Sequence, residues 1–330
     1  MSGDKFRAYR IVDDNGQVSG RFVELTTDEL DPGEVVIRVQ CSSINYKDAL
    51  AATGAGKIIR RFPCIGGVDL AGIVVSSTDN RFRAGDAALA TGYDLGVSHD
   101  GGYTQFARVP ADWLVPIPSG LSAFTAMAIG TAGFTAALAV MRMEANGLTP
   151  ADGPVIVTGA TGGVGSIAVD ILSGLGYAVT ALTGKASEHE LLLQLGAKKI
   201  LDRNTLTRGS RPLETAMWAG AVDNLGGDWL AWLTRTVKQR GVIASIGLAA
   251  GAELHTTVMP FILRGASLLG IDSSATPMPI RQEVWHRLAT DLRPRHLSWL
   301  AKAIPFDELP GVFTNFLEGR VVGRTVVQIA

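Results

Sequence analysis

The chain has 330 residues, 47% of them hydrophobic and 18% charged, with a formal net charge of −1; that length suits two domains, and the composition supplies a core and argues against disorder. The even charge balance, with no basic tract, argues against a nucleic-acid surface, and no run of about eighteen apolar residues is expected to span a bilayer. The opening MSGDKFRAYRIVDDNG lacks an apolar signal core, and two cysteines, Cys41 and Cys64, are too few for a disulfide framework, so the reading is a soluble cytoplasmic protein.

Residues from 5 to about 120 read as short strands and turns. Phe6 to Val12 alternates imperfectly; Asp31-Pro32-Gly33 is a turn before the β-branched strand Glu34 to Gln40. Ala71 to Val75, Asp86 to Ala90 and Gly101 to Val109 read as further strands. The texture changes at Leu121: small and apolar residues from Ser122 favour a helix, interrupted near Gly130 to Gly133.

Pro154 to Lys185 organises the chain. Val155-Ile156-Val157 is a short buried strand leading into Thr158-Gly159-Ala160-Thr161-Gly162-Gly163-Val164-Gly165. Ile167, Ala168, Ile171, Leu172 and Leu175 then recur at helical spacing, Gly176 ends that helix, and Tyr177 to Leu182 reads as a second strand. Strand, glycine turn, helix and strand in about thirty residues make a βαβ unit. The glycines let the backbone approach a pyrophosphate, and the helix N-terminus points free N–H groups at it. In that context the motif marks a dinucleotide site, with Thr161, Gly162, Gly163, Val164 and Gly165 as its cradle.

Helix at Glu188 to Leu195, strand at Lys199 to Leu201, strand end at Ala221 to Asp223, helix at Trp229 to Val237 and strand at Val242 to Gly247 follow, with a last strand at Leu268 to Asp272. This alternation predicts a parallel, doubly wound sheet. The tail returns to the first style, with a helix over Asp307 to Leu317 and a strand over Arg324 to Ile329 that rejoins the N-terminal module.

A β-rich module, an inserted Rossmann domain and a returning tail resemble the medium-chain dehydrogenase/reductase superfamily, over nearly the whole chain. Ser42-Ser43-Ile44-Asn45-Tyr46-Lys47-Asp48, Gly130 to Ala136, Thr158 to Gly165, Arg211-Pro212-Leu213 and Met259 to Gly265 narrow the resemblance to its zinc-independent branch of acrylyl-CoA reductases and quinone oxidoreductases. The resemblance implies an α/β fold in which a Rossmann doubly wound parallel sheet is inserted in a GroES-like β-rich catalytic domain. The catalytic domain would take 1–124 and 302–330, the NADP-binding domain 125–301. It also implies NADPH-dependent reduction of the activated double bond of acrylyl-CoA, in a metal-free cleft between the two domains.

No metal is expected. A catalytic zinc needs three N, S or O ligands about an open position. Here the ligand-bearing turn of zinc enzymes reads Ile44-Asn45-Tyr46, and their Gly-His-Glu segment is replaced by Gly66-Gly67-Val68-Asp69. His99, His189, His255, His286 and His296 show no paired spacing. The cofactor is expected to be NADPH, because the second strand ends in Leu182-Thr183-Gly184-Lys185 without the acid that bonds a ribose 2′-hydroxyl. A hydroxyl and a cation there suit a 2′-phosphate, with Arg203 as second cation. By resemblance, Leu248, Ile262 and Ser273 line the nicotinamide side, against ordinary core or loop packing.

Asn45-Tyr46-Lys47-Asp48 is the candidate for the chemistry. Tyr46 contacts the cofactor or donates a proton, Asn45 orients a carbonyl or the nicotinamide ribose, and Asp48 holds Asn45 or Lys47; the plain alternative is a turn. Lys57, Arg60 and Arg61, beside a glycine turn, either meet the phosphates of coenzyme A or form a solvated loop. Gly92 to His99 is expected to border the cleft. The substrate is a small molecule, an enoyl-CoA or else a quinone or enone; the alternative from another class is a non-catalytic NADPH-binding redox sensor. A homodimer is expected by analogy, through Leu268 to Ile271.

Overall fold

A computed structural model of the chain describes residues 4–329. It divides into two compact units. The first runs to Thr131 and takes back Ser274–Trp285 and Leu297 onward; the second is Ala132–Ser273 with His286–His296. Against the boundaries at 125 and 301 read from the sequence, the chain thus changes unit at Thr131 and again at Ser274, with a short return over His286–His296.

The first unit opens on a hairpin of β1 (Phe6–Asp14) and β2 (Gln17–Leu25). Asn15 and Gly16 turn it at φ 58° and 89°, the left-handed pair that suits the twist of a tight hairpin. The sequence reading has no strand at β2, although Asn15-Gly16 carries this signal. Next come β3 (Val35–Ile44), α1 (Tyr46–Thr53), β4 (Cys64–Ile65), β5 (Asp69–Ser77), β6 (Ala87–Thr91), β7 (Phe106–Val109) and β8 (Val115–Pro116). The expected strand at Gly101 to Val109 is thus confined to its last four residues. Its first part instead lays Gly101 and Gly102 against the Gly66–Asp69 backbone, where any Cβ would collide.

α2 (Ala123–Ala145) is interrupted at Gly130, whose φ of 50° and ψ of −159° are not helical. By length and composition it could cross a membrane, which corrects the expectation that no such run exists; 83% of its apolar window is buried inside the protein, as in a core helix.

The second unit is built on β9 (Val155–Thr158), α3 (Gly163–Gly174), β10 (Val179–Thr183), α4 (His189–Gln194), β11 (Lys199–Asp202), β12 (Trp218–Asp223), α5 (Gly227–Thr236), β13 (Val237–Ser245), α6 (Met259–Arg264) and β14 (Ser267–Gly270). Its six strands are all parallel, in the order β11-β10-β9-β12-β13-β14. β9, β10 and β12 are buried at every position, the mark of a parallel sheet covered on both faces. The order reverses between β9 and β12, and such a switch point opens a crevice at the strand C-termini.

α7 (Met278–Ala289) and α8 (Leu297–Leu300) have no counterpart in the sequence reading. β15 (Ala301–Pro305), α9 (Leu309–Leu317) and β16 (Arg324–Gln328) then complete the large sheet of the first unit, β15-β16-β3-β5-β6-β8 with β7 also on β3. The tail rejoins as expected: Val326 pairs with Ser43 across the β16–β3 ladder.

Candidate active site

The Asn45–Asp48 stretch is the start of a helix rather than a simple turn. Asn45 caps α1, and Asp48 at the third helical position accepts from the Asn45 backbone N–H at 2.8 Å, a reciprocal capping box. The Asn45 side chain also faces inward. Its amide nitrogen donates to Asp69 Oδ2 at 2.8 Å and Asp48 Oδ2 at 3.3 Å, and its oxygen accepts from Arg324 at 3.2 Å. Both donors and the acceptor are therefore committed within the protein. The amide hydrogens of Asn45 are thus engaged within the protein rather than turned toward a carbonyl or a ribose: side chains near a buried carboxylate and guanidinium are recruited to satisfy those charges first.

Asp69 and Arg324 centre that network. Asp69 accepts from Ser43 Oγ, Asn45, and both the backbone N–H and hydroxyl of Thr131. Arg324 donates to Ala128 O, Ile44 O, Asn45 and Ser43 Oγ. The pair explains the break in α2. Arg324 caps a carbonyl of the half that ends before Gly130, Asp69 caps an N–H of the half that begins after it, and each charge matches its helix end. A Cβ on Gly130 would lie 2.7 Å from the Arg324 guanidinium and 2.8 Å from Asp69 Oδ2.

Asp48 is 2% exposed. Burial, and then the Asp69 charge, push its carboxyl up to about 7, against hydrogen bonds from the Asn45 and Val68 backbones. Burial likewise lifts the Tyr103 phenol well above its usual range and pulls Arg324 down, the latter opposed by Asp69 and Asp48.

A cation does not fit this donor set. The carboxylate oxygens of Asp48 and Asp69 already accept hydrogen bonds, and Arg324 adds a positive charge among them. Among the described residues no group of three or more His, Cys, Asp or Glu could hold a metal.

Tyr46 and Lys47 point differently. Tyr46 is 50% exposed, and Lys47, half-buried, donates from Nζ to Ser274 Oγ at 3.3 Å. Of the three loop cations, Arg61 pairs with Asp31 and Asp100 and donates to Ser98 O, and Arg60 lies 3.6 Å from Asp94; Lys57 is exposed. The first unit's own acids thus offset much of that charge. In the Gly92 to His99 segment, Tyr93 stacks on Trp113, sits over the buried Arg281 and holds φ 52°, and the His99 ring bonds the Pro32 and Asp100 carbonyls.

The second unit holds the glycine turn. Gly159 has φ 58°, and a Cβ on Gly165 would stand 2.3 Å from the Gly159 carbonyl, so Gly165 lets α3 close onto the end of β9. Gly162 differs: its backbone is ordinary, and the nearest atom to a Cβ there is 3.4 Å away. Nothing in the chain demands glycine at that position, whereas a pyrophosphate drawn to the α3 N-terminus would. At the switch point Asn224 donates to Thr158 O at 2.7 Å, while its own side-chain oxygen is buried without a partner. An orphaned acceptor beside an open glycine turn fits a dinucleotide. The sequence reading has no role for Asn224; its place after β12 at the reversal was the available signal.

The ends of β10 and β11 lie together. Thr183 and Thr161 hydroxyls approach to 3.4 Å, Lys185 N–H donates to Thr183 Oγ1, and Arg203 N–H donates to Thr183 O at 2.8 Å. Gly184 makes room for Arg203, whose guanidinium would lie 3.3 Å from a Cβ there. Lys185 is pulled below its usual range by burial and by Arg203, against Glu188. Two cations near enough to act on one another suit an anion between them. Leu248 and Ile262 are 67% and 71% exposed, so core packing does not hold them; Ser273 is half-buried.

Two family models match: the alcohol dehydrogenase GroES-like domain over 31–119 and the zinc-binding dehydrogenase over 163–290. Acrylyl-CoA reductase AcuI of Ruegeria pomeroyi is 45% identical over 96% of both chains. Putative quinone oxidoreductase YhfP of Bacillus subtilis is 47% identical over 98% of this chain and 99% of that protein. This chain belongs to the zinc-independent medium-chain dehydrogenases/reductases. Two solved structures match this chain over nearly its whole length. The YhdH oxidoreductase of Salmonella enterica, in complex with NADP, has 47% identity and a TM-score of 0.95 over 98% of this chain and all of that one. B. subtilis YhfP, with NAD bound, has 46% identity and a TM-score of 0.96 over 99% of this chain and all of that one.

Proposed function

We propose that this reductase uses NADPH to saturate an activated C=C bond, with acrylyl-CoA as substrate and propionyl-CoA as product. The observation that carries this is the likeness to an acrylyl-CoA reductase along 96% of both chains. The glycine turn, the orphaned Asn224 oxygen and the Lys185–Arg203 pair support the cofactor. Bound NADPH supplies a hydride.

The chain's own residues do the rest. Thr161 to Gly165 receive the pyrophosphate at the α3 N-terminus, with Thr183, Gly184, Lys185 and Arg203 at the 2′-phosphate. Leu248, Ile262 and Ser273 cover the nicotinamide side and keep water from it. Asp48 and Asn45 fix the first turn of α1 and so place Tyr46, which packs on the cofactor. Hydride adds to the β-carbon and a proton to the α-carbon.

The assay is loss of NADPH absorbance with acrylyl-CoA, crotonyl-CoA and a benzoquinone. Turnover with the thioesters is expected. Turnover with benzoquinone alone would favour the quinone reading that YhfP's name supports, and none with any acceptor would favour a redox sensor. Because a solved structure of YhfP holds NAD, NADH belongs in the same assay.

The homodimer and the cytoplasmic location are part of the same proposal. β14 is an edge strand, and an unpaired edge is a template for a second copy. Cys41 and Cys64 are free and buried, consistent with a reducing compartment, which cell fractionation would test.

A further inference from the structure

The commitment of Asn45 leaves the thioester oxygen without its expected donor. That oxygen gains negative charge as hydride reaches the β-carbon, so a donor aimed at it is worth much of the rate. Within the Asn45–Asp48 turn, both amide hydrogens of Asn45 are taken, Asp48 is a buried acceptor, and Tyr46 is given to the cofactor in the reading above. Lys47 remains. It sits at the second position of α1, where a cation works against the positive helix end, so local stability does not explain a lysine there. Its ammonium donates to a hydroxyl, Ser274 Oγ, and its charge acts on the neighbouring Asp48 without forming a direct ion pair among the described residues. An ammonium has three donors, and Ser274 takes one.

We propose that Lys47 is the charged donor to the thioester carbonyl oxygen, a role that rests on the enoyl-thioester reading above. As hydride adds to the β-carbon, the C=C π electrons move toward the carbonyl, and the enolate oxygen forms against the Lys47 ammonium. The α-carbon then takes a proton from a solvent water, which leaves as hydroxide to bulk solvent, the carbonyl is restored, and the Lys47 ammonium gives up no proton. Ser274 is the positioning residue that fixes the ammonium.

Lys47→Met keeps the stem and removes the charge. Its kcat for crotonyl-CoA is expected to fall on the order of 100-fold, the effect of losing one oxyanion donor, with a smaller change in KM. Lys47→Arg recovers part of the loss. A readout apart from turnover is the thioester C=O infrared band of crotonyl-CoA bound with NADP+. It shifts to lower wavenumber in the wild type and in Lys47→Arg, and returns to its free-solution position in Lys47→Met. Lys47→Gln serves where the Met variant does not fold. A kcat within about threefold of wild type, or a band that does not move on losing the charge, overturns the role of Lys47 alone. A wild type that reduces no enoyl-CoA overturns the thioester reading, and this proposal with it.

Discussion

Lys185 and Asp48 are single residues whose environments make opposite demands. Lys185 sits beside Arg203 at the end of β10, partly desolvated, and its charge gains most when an anion arrives. Lys185→Asp should raise the Kd for NADPH at least tenfold while changing that for NADH little, read by fluorescence titration of both; equal losses would show that the turn does not recognise the 2′-phosphate. Asp48 stands at about 7 in the folded chain against an ordinary 3.8, so the folded state holds a proton that the unfolded chain releases. The stability this contributes is complete below about 3.8 and lost as pH rises through about 7. Urea denaturation should show the wild type losing on the order of a few kcal/mol across that window. Asp48→Asn, weaker at low pH through one lost acceptor, should lose clearly less stability than the wild type across that window, the remaining slope coming from other shifted carboxylates such as Asp223.

At the scale of elements, the broken helix α2 depends on charges supplied by two strands. Arg324 from β16 caps one half and Asp69 from β5 the other. Arg324→Met leaves Asp69 buried without its counter-charge, and the expected loss is about 3–5 kcal/mol. The double variant Arg324→Met with Asp69→Asn should lose clearly less than the sum of the singles, because the second change removes the uncompensated charge. Simple additivity in a urea double-mutant cycle would mean that the two residues act separately. The same contacts hold the α1 cap, so the singles should also lower kcat by disturbing the Tyr46–Lys47 turn.

For the whole molecule the expectations concern assembly and cofactor linkage. The open edge of β14 predicts a homodimer, with light scattering at micromolar concentration giving about twice the chain's 34.7 kDa. A monomer would remove the edge-pairing proposal without touching the chemistry. NADPH at about 100 times its Kd should add about 2.7 kcal/mol to unfolding, seen as a higher Tm.

Local patterning makes the second unit legible. Val155-Ile156-Val157, the glycine turn and the helical spacing of Ile167 to Leu175 are contiguous, so their βαβ unit shows in the sequence alone, as do the cations at the end of β10. The likeness of motifs in order carries the family. What the sequence does not show is where side chains go when partners lie far apart along the chain. Arg324 and Asn45 are 279 residues apart, and Thr131 and Asp69 62 apart, yet they share one buried network. No periodicity or spacing encodes that meeting. Only the closing of β16 onto β3 brings the guanidinium in, and burying it obliges Asn45 and its neighbours to turn inward and satisfy it.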